Sequence, residues 1–280
     1  MIEYSFDTKA QNIEPDFKTK LPIELFESSG LAVGLNNTVW THNDSGGEAI
    51  LYQLDSMARV IRKVKILNAT NSDWEDLAND FEGHLYIADI GNNGNKKPNF
   101  IIYKIAHPDS IKEDSITAEI ISFRYENQYS YPPTPDKMNF DAEAMIAYHD
   151  SLFIFTKNRT HPYSKKTYIY ALANEAGEQT AILYDSLYLA HTHRYRSWVT
   201  GAARDPMNDR IVLLSHKKIW WLSDFRKSKS RIAEKGKIKG IYSQKEGIAL
   251  TNDGDAWISN ERFKFLKAKL IHAKVRATNK

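Results

Sequence analysis

A template that recurs five times constrains the fold of this chain more than any other feature. Each copy begins with Glu or a small polar residue, followed by Gly, Ala or Asp and two apolar or small residues. A turn then leads into an aliphatic or aromatic strand with polar residues at its end. The copies begin at Ser29, Glu75, Glu143, Thr200 and Glu246. Strand repeats of about 40–50 residues, with longer copies carrying insertions, are typical of β-propeller blades.

Each copy also contains strand-like runs after its first hairpin. In the first copy these are the segments 49–54 and 60–66, which gives four strands, the content of one blade. The sequence therefore predicts an all-β, single-domain β-propeller over residues 1–280. Five blades are counted, near 29–74, 75–142, 143–199, 200–245 and 246–280. A six-bladed propeller is the alternative, if a degenerate copy of the template lies in the N-terminal segment or in the insertion from Glu126 to Asn139.

The last copy contains three predicted strands and no fourth. Its third strand is predicted from Phe263 to Ile271, and the N-terminal run from Ile2 to Phe6, within residues 1–10, is predicted to supply the missing one. Closing the ring in this way removes exposed strand edges. The intervening segment from Asn12 to Lys20 is predicted to be a loop.

An insertion from Glu126 to Asn139 lengthens the second copy. Its tyrosines and prolines predict an ordered loop and not a linker. Two interpretations stay open: the loop packs on its own blade, or it forms a lip over a site on the axis.

Composition excludes several classes of function. The chain has 38 basic and 35 acidic residues, a formal net charge of +3, which argues against a nucleic-acid partner. It has no cysteine, so disulfides, thiolate metal sites and cysteine nucleophiles are excluded. No apolar run is long enough to span a membrane. A monomer is expected, either cytoplasmic or exported, if an export signal preceded Met1 and was removed.

The start of each repeat and the residue fourteen positions later are predicted to meet at one end of the axis, because strand direction alternates within a blade. This places carboxylates in one funnel as predicted metal ligands: Glu75, Asp89, Glu143 and Glu246. Further polar residues are predicted to contact a ligand there: Asn43, Asp44, Lys157, Thr200, Asn260 and Glu261.

Converging carboxylate and amide oxygens suit Ca²⁺, with Mg²⁺ or Mn²⁺ second. The first hypothesis is therefore a binding propeller that holds Ca²⁺ and a small or peptide-like ligand. A second is a metal-dependent hydrolase of esters, lactones or phosphoesters, with His42, His216 or a funnel carboxylate as base. A third is a protein-interaction scaffold, since acids and Thr at strand starts also satisfy backbone N–H groups around a channel. The His191-Thr192-His193 run is a weaker metal candidate, and the six tryptophans are predicted to pack between blades.

Two motif pairs resemble a known group. Residues 74–78 (WEDLA) with 86–93 (YIADIGNN), and 246–249 (EGIA) with 257–261 (WISNE), are similar to the SdiA-regulated/TolB-like β-propeller superfamily. Within it they are closest to uncharacterised secreted propellers and lipoproteins of Bacteroidetes-type bacteria with a DWEDIA…YIGDIGDN signature. The likeness covers roughly residues 25–262, and segment 73–93 is its most specific part.

The resemblance implies a propeller fold and axial acids that bind Ca²⁺, at Glu75, Asp89, Glu143 and Glu246. It also implies an extracytoplasmic location, periplasmic, outer-membrane-anchored or secreted. Some related propellers, the gluconolactonase-like ones, hydrolyse esters or lactones. This chain differs from them at Lys157, where a lactonase-like site would have Asn or Asp. That difference argues against a lactonase mechanism.

Overall fold

The computed structural model describes residues 10–80, 82–189, 193–206, 210–223, 225, 231–240, 243–262 and 267–275. These residues form strands and a few 3₁₀ turns, without an α-helix. None of the described helical segments is long and apolar enough to cross a membrane. The all-β prediction is confirmed.

The strands group into antiparallel units of four, and each unit begins with one copy of the template. The first contains β3 (Ser28–Val33), β4 (Val39–Asn43), β5 (Ile50–Leu54) and β6 (Val60–Ile66). The second contains β7 (Trp74–Asn79), β8 (His84–Asp89), β9 (Phe100–Ala106) and β11 (Glu119–Tyr125). The third contains β12 (Ala142–Tyr148), β13 (Ser151–Thr156), β14 (Lys166–Ala173) and β15 (Gly177–Tyr188).

Two further units are present among the described residues. The fourth contains β16 (Gly201–Arg204), β17 (Ile211–Leu214), β18 (Lys218–Ser223) and β19 (Arg231–Ile238). The fifth contains β20 (Lys245–Leu250), β21 (Asp255–Asn260), β22 (Lys269–Lys274) and, from the other end of the chain, β2 (Pro15–Lys20).

Parallel pairings cover outer edges of these units. β1 (Ala10–Ile13) adds to β19, and the short β10 (Ser115–Ile116) adds to β6. β11 pairs with β15, which joins the second and third units into one eight-stranded sheet. Since a bare outer strand is a template for pairing with another chain, these additions protect against edge-to-edge association.

The N-terminal segment differs from its prediction. The stretch from Asn12 to Lys20 was expected to be a loop, which is wrong, because residues 15–20 pair antiparallel with β22. Its charges hid the pattern: Phe17 and Thr19 alternate with charged side chains, as in an edge strand, and Pro15 is tolerated where a strand begins. Phe17 stacks on His272 at 5.1 Å between ring centroids. The run from Ile2 to Phe6 lies outside the described residues.

The first strands of the five units pack side by side, each against its two neighbours, and β7 also contacts β16; these strands are β3, β7, β12, β16 and β20. Their approach is close enough to explain the glycine at the second position of the template in the first and fifth copies. A Cβ on Gly30 would lie 2.5 Å from the backbone nitrogen of Leu77, and one on Gly247 would lie 2.2 Å from the carbonyl oxygen of Ser29. Only glycine fits at these two positions without moving a neighbouring strand.

Apolar layers fill the space between successive units, including a layer between the fifth and the first. That layer combines residues from both ends of the chain, such as Leu25 and Val39 with Trp257 and Leu270. Five of the six tryptophans lie in these layers, as predicted: Trp40, Trp74, Trp220, Trp221 and Trp257.

The insertion from Glu126 to Asn139 packs against the second and third units. The Tyr170 hydroxyl donates to Asn127 Oδ1 at 2.9 Å, and the Leu183 backbone nitrogen donates to Glu126 Oε1 at 2.7 Å. No described residue of the insertion lines the axial cavity. The packing interpretation therefore holds, and the lip interpretation is wrong.

Candidate functional site

A cavity of about 520 Å³ opens where the first strands of the units begin. Five of its lining residues are acidic and two are permanently cationic. The lining consists of Asp44, Glu75, Asn93, Glu143, Lys157, Arg159, Tyr195, Trp198, His216, Gln244, Glu246 and Glu261. Seven of these were predicted from the sequence: Asp44, Glu75, Glu143, Lys157, His216, Glu246 and Glu261.

β-Bulges aim the repeated acids into this cavity. The pairing register shifts around Glu75, around Glu143 and around Glu246, so each acid is an extra residue on the inner strand. A bulged residue leaves the strict in-and-out alternation of a strand, which lets its side chain turn toward the axis. The same shift occurs at Ser29 in the first unit, where the hydroxyl instead donates to the Glu75 carbonyl at 2.7 Å.

Three acids, Asp44, Asp73 and Glu75, form a cluster at one side of the cavity. One carboxylate oxygen from each lies within 4.8 Å of the others. Asp73 pairs with Lys97 at 3.2 Å. Glu75 is only 6% exposed, and within the described part of the chain its carboxylate receives no hydrogen bond and no ion pair.

The clustering shifts the pKa values of these acids. Burial, then the charges of Asp73, Glu143 and Glu261, raise the pKa of Asp44 to about 7. Burial, followed by Glu143 and Asp44, raises the pKa of Glu75 well above its usual value. A buried carboxylate surrounded by like charges must hold a proton or bind a cation.

The third unit supplies the paired half of the cavity. Lys157 Nζ contacts Glu143 Oε1, and Arg159 pairs with Asp141 at 2.6 Å and with Glu143 at 3.4 Å. Burial lowers the pKa of Lys157, but Glu143, Glu246 and Asp141 outweigh that effect and raise it overall. Lys157 and Arg159 lie over the Trp198 ring, at 5.3 and 4.6 Å from its centroid. Trp198 is thus a wall of the cavity, not a tryptophan between units.

The fifth unit closes the cavity on its remaining side. Glu246 Oε1 lies 3.7 Å from His216 Nδ1, and Gln244 donates to Glu261 Oε2 at 3.3 Å. Burial, then the charge of Glu143, raises the pKa of Glu261 to about 7. Burial, then Lys157, lowers the pKa of His216 to about 3, so its imidazole is neutral at pH 7.

Two predicted residues serve the loops around the cavity and do not line it. The Asp89 carboxylate accepts from the backbone nitrogens of Ser72 and Asp73, at 3.3 and 3.0 Å. Asn43 donates its side-chain amide to the Glu24 carbonyl at 2.7 Å. The bulge explains the difference, because it makes Trp74, not Glu75, the register partner of Asp89.

Three further predicted residues also lie outside the lining. His42 is buried beside Trp74, with Nδ1 2.8 Å from the Asn43 carbonyl oxygen, and burial lowers its pKa to about 4. Thr200 donates its hydroxyl to the Lys245 carbonyl at 2.7 Å, and Asn260 donates to the Glu261 carbonyl at the same distance. His191 and Thr192 lie outside the described residues.

Asp76, which was not among the predicted site residues, has a structural role. It is fully buried, and it accepts from the backbone nitrogens of Leu77 at 2.9 Å, Met145 at 2.9 Å and Ala202 at 3.3 Å. These donors belong to three different units. Asp76 therefore ties the first strands together, as the scaffold interpretation expects of acids around a channel.

Five lining residues were not predicted: Asn93, Arg159, Tyr195, Trp198 and Gln244. All of them lie on connections outside the repeated template, so the repeat could not reveal them. The signal available for Arg159 and Asn93 was their position just after the polar ends of second strands. Tyr195 and Trp198 belong to the segment that leads into the fourth unit, and they pack edge to face at 4.9 Å.

Comparison with known proteins gives a fold. No family model matches the chain, and no curated protein matches its sequence. Among solved structures, the PQQ-bound aldose sugar dehydrogenase of Streptomyces coelicolor aligns over 95% of this chain and 99% of its own, with a TM-score of 0.53 and 9% identity. The chain has the β-propeller fold.

Other propellers of distant sequence also align with this propeller. A streptogramin B lyase covers 92% of this chain and 96% of its own, with a TM-score of 0.46 and 11% identity. The Pan2 WD40 domain of Neurospora crassa aligns over 95% of this chain and 98% of its own, with a TM-score of 0.44 and 7% identity. Since propellers host unrelated functions, the chemistry of this one has to be argued from its own cavity.

Proposed function

We propose that this protein is a binding propeller whose axial cavity holds a divalent cation, Ca²⁺ first, together with a small or peptide-like ligand. Glu75 carries the proposal. Its carboxylate is buried in the cavity wall, has no partner among the described residues, and lies beside the carboxylates of Asp44 and Asp73. Leaving a carboxylate desolvated and unpaired is costly, so a site of this kind gains free energy when a cation binds.

The donor set fits Ca²⁺. Carboxylate oxygens are the ligands that Ca²⁺ prefers, and it takes six to eight of them in flexible geometry. Asp44, Asp73 and Glu75 supply up to six oxygens, and the open side of the cavity leaves positions for water or ligand oxygens. Soft ligands are absent from the described lining, which disfavours metals that prefer sulfur. Glu143 and Asp89, named as ligands from the sequence, are less suited because they lie outside this cluster, and their carboxylates bind Lys157 and backbone N–H groups instead.

The opposite wall supports a polar organic ligand. Trp198, with Tyr195 against it, gives an aromatic surface, and Arg159 places its guanidinium at the edge of the cavity. A ligand with a carbonyl or carboxylate oxygen could therefore bind the cation and Arg159 at once, while its apolar part contacts Trp198.

Calorimetric titration with Ca²⁺ tests the proposal on the wild type, on Glu75→Gln and on a control, Glu119→Gln, at an exposed residue of β11. The amide keeps the volume of Glu75 and removes its charge, so the variant is expected to fold. The wild type and the control should bind with the same affinity, and Glu75→Gln should bind at least about tenfold more weakly. Equal binding by all three proteins, or no heat from the wild type, would refute the site and favour the scaffold with a structural channel.

We further infer a monomer with five blades, closed by β2 as the outer strand of the last one. The ring of first strands and the apolar layer that joins the fifth unit to the first support this count. The motifs at 74–93 and 246–261 support a place in the SdiA-regulated/TolB-like group and, through it, an extracytoplasmic location. Limited proteolysis of a variant lacking residues 1–20 tests the closure, since the loss of β2 should expose the edge of β22.

A metal-dependent hydrolase is the second candidate, and one observation favours it. Asp44 and Glu261 have pKa values raised to about 7, which is where a general base works best at neutral pH. His216, with a pKa of about 3, is a much weaker base, and His42 does not line the cavity. Assays with aryl-ester, lactone and phosphoester substrates, with and without chelator, decide between binding and hydrolysis.

A further inference from the structure

A pocket much smaller than the axial cavity lies between the fourth and fifth units. Its volume is about 70 Å³. Half of the residues that line it are lysines: Lys18, Lys239, Lys245, Lys267 and Lys269. No acidic residue is among its described lining residues. The charge of this pocket is therefore opposite to that of the axial cavity.

The two sites share one wall. Ser243 and Lys245 line the small pocket, whereas the intervening Gln244 and the following Glu246 line the axial cavity. One short stretch of chain therefore separates a basic site from an acidic one.

Lys245 is the buried member of the lysine group. It is only 3% exposed, and its Nζ donates to the His216 carbonyl at 2.9 Å and to Ser243 Oγ at 3.3 Å. An ammonium group has three N–H donors, and neither of these two acceptors carries a charge. Burial, followed by the charges of Lys18 and Lys217, lowers the pKa of Lys245 to about 8. Among the described residues, the charge of this buried ammonium therefore has only neutral oxygen partners.

Three of the four lysines around it are not neutralised either. Within the described part of the chain, Lys18, Lys267 and Lys269 have no carboxylate within ion-pair distance, and Lys239 pairs with Glu14 at 2.6 Å. Gathering like charges in one pocket is unfavourable unless a counter-ion binds. Lys18, Lys245 and Lys269 lie on the paired strands β2, β20 and β22, which fixes the backbone positions of these three lysines around the pocket.

We propose that this pocket binds a tetrahedral oxyanion, phosphate or sulfate, with Lys245 as its buried contact. The volume corresponds to roughly two to three water molecules, which suits one such anion and is too small for a nucleoside. Charge-assisted hydrogen bonds from several ammonium groups are the usual means of holding this chemistry. The anion is either the free ion or the phosphate end of a larger ester that extends out of the pocket.

Calorimetric titration with inorganic phosphate, at an ionic strength held constant with chloride, tests the proposal. The proteins are the wild type, Lys245→Met and a control, Lys112→Met, at an exposed lysine that does not line the pocket. Saturable binding to the wild type and the control is expected, with affinity at least about tenfold weaker in Lys245→Met. If that variant does not fold, Lys269→Met serves in its place, with a loss of about threefold or more expected.

Glycerol 3-phosphate distinguishes the two sources. Tighter binding than inorganic phosphate identifies the end of an ester as the ligand, and weaker binding identifies the free ion; both outcomes support the pocket. Glu75→Gln should bind phosphate like the wild type, so the result is independent of the proposed cation site. Absence of saturable phosphate binding to the wild type, or equal affinity in the wild type and the pocket variants, would overturn the proposal.

Discussion

Glu75 and Asp76 are consecutive acids on one strand, and they behave in opposite ways. Asp76 is fully buried and accepts three backbone N–H groups from three units, whereas Glu75 is almost as buried and accepts none within the described residues. The bulge between Trp74 and Asp76 separates them, sending one toward the strands and the other toward the cavity. Burial alone therefore does not tell a structural acid from a candidate ligand; the hydrogen-bond partners do.

The largest expected effect is on stability, from Asp76→Ala. This change leaves three buried N–H groups without an acceptor, at the centre where three units meet. We expect the free energy of unfolding to fall by about 4 kcal/mol. Urea unfolding followed by circular dichroism measures it. Glu75→Gln is the matched comparison, and its stability without Ca²⁺ should equal that of the wild type or exceed it. An equal loss of unfolding free energy in both variants would contradict the distinction between a structural Asp76 and an unpaired Glu75.

Lys157→Met should have the next largest effect, because it tests the paired half of the cavity. It leaves Glu143 buried with only its longer contact to Arg159. A buried charge that loses its partner costs about 3 kcal/mol. The loss should be large at pH 8 and smaller at pH 5, where Glu143 can take up a proton. A loss that does not depend on pH would show that packing against Trp198, and not the ion pair, is what matters.

The pH dependence of the wild type without metal is the smallest of the three effects. Asp44 and Glu261 have folded-state pKa values of about 7, above those of the unfolded chain. The stability that their protonated forms contribute is fully present below about pH 4 and is lost as the pH rises through 7. We expect a loss of about 2 kcal/mol across this range in chelator, after allowance for the open side of the cavity. Ca²⁺ should reduce it; a flat profile in chelator would show that these acids are not shifted.

Much of the fold could be predicted because each copy of the template marks the first two strands of one unit. The Gly of Ser29-Gly30 and of Glu246-Gly247 reflects the close approach of neighbouring first strands, and strands such as β6 follow their apolar alternation. β2 escaped prediction because an edge strand that faces solvent on much of its surface carries the charges of a loop.

The cavity was predictable only where the template reaches it. Glu75, Glu143 and Glu246, the first residues of their copies, line the cavity. The spacing of fourteen residues also predicted Asp89 there, but because of the bulge the Asp89 carboxylate binds the backbone of the 72–73 loop instead. A bulge has no reliable signature in a single sequence. Arg159 and Trp198 come from connections, whose course depends on tertiary contacts that no local pattern encodes.

The most direct test of the central claim is a count of the protons released when Ca²⁺ binds. Glu75 and its neighbours should hold protons in the metal-free cavity and give them up to the cation. Calorimetry at pH 6.5 in two buffers of different ionisation enthalpy gives that number. We expect net release of about one proton per Ca²⁺ by the wild type, and a clearly smaller release by Glu75→Gln. A binding heat that is the same in both buffers, or the absence of Ca²⁺ binding, would contradict it.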